Sequence, residues 1–273
     1  MNASTSFVKS LLAQCCLGGI CEWVVCPGAR NMALLQVLAA AEDLVQWTHF
    51  DERSAAFFAL GRIQDMGLPA AVVTTSGTAA AELLPAVVEA YYQRRPLLLL
   101  TADRPADYRG SAAPQAIEQA DMFGIYAPTI DLQTPDDLPE DILEDWDYAS
   151  PLHINVCLPD PDPTWNPGHC DLYPAEPPEE NKFRGSLSGL AQALRFKARH
   201  GLVLMLGGLD PTEQAPALWL ANELKAPVVA DATSGLREEL DHLALTDADR
   251  LLKQNPPAVL LRGCLLYTSD AAD

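Results

Sequence analysis

Through the first 105 residues, short continuous apolar runs alternate with longer stretches whose apolar positions repeat at helical spacing. Glu22-Trp23-Val24-Val25-Cys26 leads into Pro27-Gly28-Ala29-Arg30, and Val45-Gln46-Trp47-Thr48-His49 into Phe50-Asp51-Glu52-Arg53. Ala70-Ala71-Val72-Val73-Thr74 leads into Thr75-Ser76-Gly77-Thr78, and Leu97-Leu98-Leu99-Leu100-Thr101 into Ala102-Asp103-Arg104-Pro105. Such runs, separated by helices, predict parallel strands buried on both faces. An amphipathic helix is expected ahead of them, over Thr5 to Cys16. The alternation continues with a helix over Ala116 to Phe123, a strand over 127–132, a helix over Pro139 to Tyr148 and a strand over His153 to Cys157. The fold class is therefore α/β, a parallel sheet flanked by helices. Ligands of open parallel sheets bind at the carboxyl ends of the strands, so the four turns are expected to meet on one edge.

The pattern divides the chain. Residues 1–160 read as one domain, and the proline- and acid-rich stretch 161–185 reads as an extended linker. Residues 186–263 read as a second, incomplete α/β domain. Its expected elements are a helix over Ser186 to Arg199, a strand over Leu202 to Leu206, a helix over Thr212 to Leu224 and strands over Pro227 to Ala230 and 258–263. Gly207-Gly208 lacks a full glycine fingerprint and reads as a tight turn. The last ten residues, 264–273, resemble translated read-through of a sequencing adapter, so the natural frame is expected to continue past Gly263.

Composition narrows the function. The 273 residues are 49% hydrophobic and 20% charged, as in a globular protein of one large or two ordinary domains. No apolar run approaches the ~20 residues needed to cross a bilayer. Seven cysteines without framework spacing suggest buried thiols in a reducing compartment, here the cytoplasm, and none has zinc spacing, so no metal site is expected. A net charge of −19 repels phosphate backbones and anionic lipid, which argues against nucleic-acid and membrane partners. Against that acidity, Arg30, Arg53, Arg104 and Arg109 lie in or near the turns. They read either as a pocket for carboxylates or phosphates or as ion pairs with Asp51, Asp103 and Asp107.

Each turn has its own chemistry. Pro27 and Gly28 permit a sharp turn and close backbone approach to a ligand. Thr75-Ser76-Gly77-Thr78, before Ala79-Ala80-Ala81, places N–H groups and hydroxyls at a helix start, where they offer an anion site or simply cap the helix. Glu52 lies between His49-Phe50 and Ala55-Ala56-Phe57-Phe58. A carboxylate in apolar surroundings holds its proton more tightly and suits proton sharing with a ligand nitrogen, although a solvated first helical turn is the ordinary alternative.

Taken in order, these motifs resemble the pyrimidine-binding domain of the thiamine-diphosphate enzymes, and more narrowly the carboligases of menaquinone synthesis. The resemblance rests on Cys26 to Asn31, His49 to Ala56, Thr75 to Ala80, Leu100 to Pro105, Gln115 and His153 to Val156. It implies that Glu52 is catalytic, hydrogen-bonding the pyrimidine N1′ of thiamine diphosphate. Pro27, Gly28 and Thr78 would complete the cofactor side, and Arg30, Arg104 and Gln115 would bind substrate carboxylates. It further implies 2-oxoglutarate and isochorismate as small-molecule substrates and a homo-oligomer in the full-length parent. Ala29 and Pro114 depart from the family, which commonly has serine and asparagine there. The family's diphosphate and Mg2+ bind through a Gly-Asp-Gly loop that this sequence lacks, so the chain alone is expected to be inactive and to bind neither tightly. Another thiamine-diphosphate 2-oxo acid decarboxylase or acetohydroxyacid synthase-like enzyme, and a non-catalytic binding or assembly domain, are the alternatives.

Overall fold

The computed structural model describes residues 3–175, 194, 201–209, 211–254, 257 and 259–263. The chain divides into two compact units, Met1–Pro178 and Glu179–Asp273.

The first unit holds a six-stranded, wholly parallel sheet in the order β2-β1-β3-β4-β6-β5. Its strands are β1 (Glu22–Val25), β2 (Val45–Thr48), β3 (Ala70–Thr74), β4 (Leu97–Asp103), β5 (Thr129–Leu132) and β6 (Leu152–Cys157). Helices α1 (Ala3–Leu17) and α2 (Met32–Ala39) contribute Val8, Leu11, Leu12, Leu34 and Leu38 to the core on one face. On the other face, α3 (Glu52–Met66) and α5 (Leu84–Gln93) bury Ala55, Ala56, Ala59, Ile63, Ala86, Val87 and Ala90. The small residues on α3 and α5 let these helices lie close against Val24, Val72, Leu97 and Leu99. A short helix, α4 (Thr78–Ala81), precedes α5. The four central strands β1, β3, β4 and β6 are buried at every position, as continuous apolar runs require.

Four expectations change. β2 is exposed at all four positions, because it is an edge strand paired only with β1. No helix covers 116–123; Gln115, Asp121 and Gly124 all have positive φ, which interrupts any helical run, and a 3₁₀ turn at Gly124–Tyr126 follows. No helix covers 139–148 either. Glu140/Glu144 and Asp141/Asp145 would stack like charges at i,i+4 on a helix. The Asp141 and Asp147 carboxylates instead accept from the Leu143 and Ala149 amides, holding turns from which Ile142, Leu143 and Trp146 still reach the core. Finally, the described part of the expected linker, 161–175, is not free. Cys170 and Leu172 are buried in the first core, the Cys170 amide donates to the Ala40 carbonyl and the Ala175 amide to the Cys16 carbonyl.

In the second unit, β7 (Leu202–Leu206) lies between β8 (Val228–Ala230) and β9 (Val259–Gly263), all parallel. Helices α6 (Pro211–Leu224) and α7 (Ala248–Gln254) and a 3₁₀ turn at Ala232–Ser234 accompany these strands. Leu204, Leu206, Ala221, Leu224, Val228 and Leu240 form its core. Of the helix expected over 186–199 only Leu194 is described, and it is helical; the segment 264–273 lies outside the described residues.

Candidate active site

With every strand of the first sheet parallel, the turns after β1, β2, β3 and β4 do emerge on one edge. The β1 turn is tied by Asn31, which is fully buried: its Oδ1 accepts from the Gly28 amide at 2.9 Å and its Nδ2 donates to the Cys26 carbonyl at 2.9 Å. Gly28 then packs directly on the β3 turn. A Cβ there would sit 2.6 Å from the Thr75 Cβ, so no larger residue fits without displacing Thr75. The Arg30 amide adds a hydrogen bond to the Thr75 hydroxyl at 3.3 Å. Pro27 is exposed beside this contact.

Glu52 opens α3. Asp51, the residue before it, caps the helix by accepting from the Ser54 amide at 2.7 Å, so capping does not fall to Glu52. The Glu52 side chain is half-buried, and no described residue hydrogen-bonds or ion-pairs with its carboxylate. Its proximity to the β1 turn is felt at Cys26: burial first, then the Glu52 and Asp51 charges, push that thiol up to about 12.

The β3 turn is held from the segment 113–119. Gly77 has φ +78°, and an added Cβ would lie 3.0 Å from the Gln115 carbonyl oxygen. The Gln115 side-chain amide donates to the Ser76 carbonyl at 3.4 Å, and the buried Gln119 oxygen accepts from the Gly77 amide at 2.7 Å. This corrects one expectation. The Gly77 N–H is already spent inside the protein, and α4 is only four residues long, so the turn is not an open anion cradle. Thr78 remains exposed at its rim.

The arginines separate. Arg104 donates through Nε to the Pro114 carbonyl at 3.1 Å and lies over the Tyr108 ring at 5.4 Å, which keeps it beside the Gln115 segment. Arg109 is committed elsewhere: it grips both Asp131 oxygens at 2.7 Å and reaches Asp103 at 3.3 Å. Burial pushes the Asp131 carboxyl up, but hydrogen bonds from Arg109, Asn155 and Gln133 outweigh it and hold the carboxyl at about 2. For Arg109 the ion-pair reading holds, with Asp131 and Asp103 rather than Asp107. Arg53 is exposed on α3. The Arg30 guanidinium is buried and turns to the segment after β6, donating to the Leu158 and Pro159 carbonyls and to Asp160. It walls a cleft of about 270 Å³ with Val8, Gln36 and Trp165, which Glu52 and Gln115 do not line.

Sequence reasoning missed the polar seam beneath this edge. Thr101, His153 and Asn155 are fully buried, and Asp131 is half-buried beside them. His153 lies between the Thr101 hydroxyl at 2.7 Å and the Thr129 hydroxyl at 2.9 Å, and burial, opposed by the Asp131 charge, drives its pKa down to about 3. The signal was present as period-two polar positions in otherwise apolar strands: Thr101 pairs with Asn155, Asn155 with Asp131 and Thr129 with His153.

These features suit an aminopyrimidine ring. Glu52 offers a carboxylate with no partner among the described residues, and Gly28 and Gly77 let the turns beside it pack closely on Thr75 and Gln115. Among the described residues no group of three histidine, cysteine or carboxylate side chains is placed to hold a metal ion.

Comparison with known proteins agrees. Residues 6–122 match the family described as "Thiamine pyrophosphate enzyme, N-terminal TPP binding domain". A 2-succinyl-5-enolpyruvyl-6-hydroxy-3-cyclohexene-1-carboxylate synthase from Akkermansia muciniphila is 89% identical over 262 residues, covering 96% of this chain and 49% of its own length. The synthase of the same name from Chloroflexus aurantiacus is 35% identical, covering 98% of this chain and 50% of its own. The chain therefore spans about half the length of the curated relatives it matches. A crystal structure from Mycobacterium smegmatis, assigned to the thiamin diphosphate-dependent enzymes, shares the fold with a TM-score of 0.57 at 18% identity, over 82% of this chain and 44% of its own. Residues 6–122 of the chain thus carry the N-terminal TPP binding domain of the thiamine pyrophosphate enzymes.

Proposed function

We propose that this chain supplies the pyrimidine-side half of a thiamine-diphosphate carboligase, a 2-succinyl-5-enolpyruvyl-6-hydroxy-3-cyclohexene-1-carboxylate synthase of menaquinone biosynthesis. The observation that carries the reading is the half-buried Glu52 carboxylate, without a partner among the described residues, at the strand edge of a chain 89% identical to such a synthase. When bound, thiamine diphosphate supplies the electron sink for decarboxylating 2-oxoglutarate and joining its remaining carbons to isochorismate. The chain's own residues bind and orient. Glu52 shares a proton with the pyrimidine N1′, and its half-burial raises the worth of that hydrogen bond over one in open water. Gly28 and Thr78 form the wall of the ring site. Arg104 and Gln115, kept together through Pro114, take substrate carboxylates. Arg30 serves the same role if its guanidinium exchanges Asp160, which is solvent-exposed, for a substrate carboxylate. Ligands for Mg2+ and the diphosphate belong to the other half of the site, in a cytoplasmic homo-oligomer.

The test is Glu52→Gln in the full-length enzyme. Isochorismate consumption with 2-oxoglutarate should fall by ~10²-fold or more while the melting temperature is unchanged. Undiminished turnover, or a wild-type enzyme that prefers pyruvate, overturns the reading.

A further inference from the structure

The cofactor-side turn and the substrate-side turn are joined beneath the surface by one side-chain amide. Gln119 is fully buried although it sits in a segment without regular structure. Its Oε1 accepts from the Gly77 amide at 2.7 Å. Its Nε2 donates to Asn155 Oδ1 at 2.9 Å and lies 3.3 Å from the Ala102 carbonyl. Asn155 Nδ2 in turn donates to Asp131 Oδ1 at 2.8 Å and to Asp103 Oδ2 at 3.2 Å. The other Asp103 oxygen accepts from the Arg104 amide at 2.7 Å. The chain of bonds therefore runs from Gly77, through Gln119, Asn155 and Asp103, to the backbone of Arg104.

We infer that Gln119 is a positioning residue that sets the β3 turn against the rest of the site edge. The physical case is directional. Gly77 needs a positive φ, and its N–H points into the protein, where a buried donor without an acceptor costs more than an ordinary hydrogen bond returns. Gln119 meets that need and is itself aimed by acceptors on β4 and β6, two fully buried strands. Held in this way, the turn keeps Thr75 on Gly28, and so keeps the β1 turn beside Glu52. A side chain that only filled space would not need an oxygen facing Gly77 and a nitrogen facing Asn155.

The inference rests on the proposed carboligase reading for its link to the cofactor, so its test has two arms. The first is amide hydrogen exchange at Gly77 in the 273-residue chain. Gln119→Met keeps the volume and removes both bonds, and should speed Gly77 exchange by about tenfold. Gln119→Glu keeps an acceptor oxygen and should leave that amide within about threefold of wild type. Unchanged protection in Gln119→Met overturns the inference whether or not the enzyme assignment is right. If Gln119→Met does not fold, loss of Gly77 protection in Gln119→Glu overturns it equally. The second arm is the concentration of thiamine diphosphate that half-saturates the full-length enzyme. Gln119→Met should raise it by about tenfold while the substrate KM values move by less than about twofold. Faster exchange with an unmoved cofactor requirement reduces Gln119 to a structural role and overturns the inference. A wild-type enzyme with no carboligation overturns the proposed function instead, and the exchange arm alone then decides whether Gln119 sets the turn.

Discussion

Two glutamates flank the first two strands of the sheet and have opposite surroundings. Glu22 begins β1 at the amino edge and is 2% exposed. It accepts from Arg62 Nη2 at 2.7 Å, Arg62 Nε at 2.9 Å and Trp47 Nε1 at 3.0 Å. The Arg62 hydrogen bonds, working against burial, hold its carboxyl below the usual range. Glu52 follows β2 at the carboxyl edge, half-buried, with no described partner. One edge satisfies its carboxylate completely and gains stability. The other leaves its carboxylate without a partner among the described residues, and such an unmet group is what a binding site requires.

The largest effect that separates the edges is on activity. Glu52→Gln should cost the full-length enzyme ~10²-fold or more in turnover without changing its urea midpoint. Glu22→Gln should do the reverse. Replacing charge-assisted hydrogen bonds by neutral ones costs about 1–2 kcal/mol, visible in urea unfolding, with turnover retained. If Glu22→Gln lowers turnover as much as Glu52→Gln does, the contrast between the edges fails.

The pH dependence sharpens the comparison by isolating the buried seam. His153 is neutral in the fold with a pKa of about 3, below its ordinary value, so the unfolded chain takes up the proton first. Its contribution is whole above about pH 6.5 and is lost progressively toward pH 3, with a slope of at most about 1.4 kcal/mol per pH unit. Asp131, held at about 2, contributes fully above about pH 4 and loses that contribution as pH falls through 2. Urea midpoints should therefore decline in two windows, and His153→Gln should remove the upper one alone. The smallest effect is expected at Gly28→Ala. Thr75 must yield to the new methyl, at about 1 kcal/mol of stability, and cofactor half-saturation should rise with it.

Legibility differed by element for physical reasons. The central strands were readable because burial on both faces demands uninterrupted apolar residues, which local sequence displays directly. β2 misled because its apolar Val45 and Trp47 belong to an exposed edge strand, and being at an edge is a property of strand order. The helices expected over 116–123 and 139–148 failed because side chains there bond backbone groups outside a helix, Gln119 to Gly77 and Asp141 to Leu143. Of the candidate site, the placing of Glu52 and the two glycine turns on one edge could be read from their motifs. The pairing of Arg109 with Asp131, the turn of Arg30 toward 158–160 and the role of Gln119 could not, since each joins residues far apart in the chain.

By itself, the order of residues determined the α/β class, the parallel strands and the edge where the four turns gather, because hydrophobic period and turn chemistry act over a few residues. Tertiary structure alone decided which charges are spent and which are left open. A partner is chosen by three-dimensional proximity, and 22 residues separate the arginine at 109 from its aspartate while Glu52 meets no partner among the described residues.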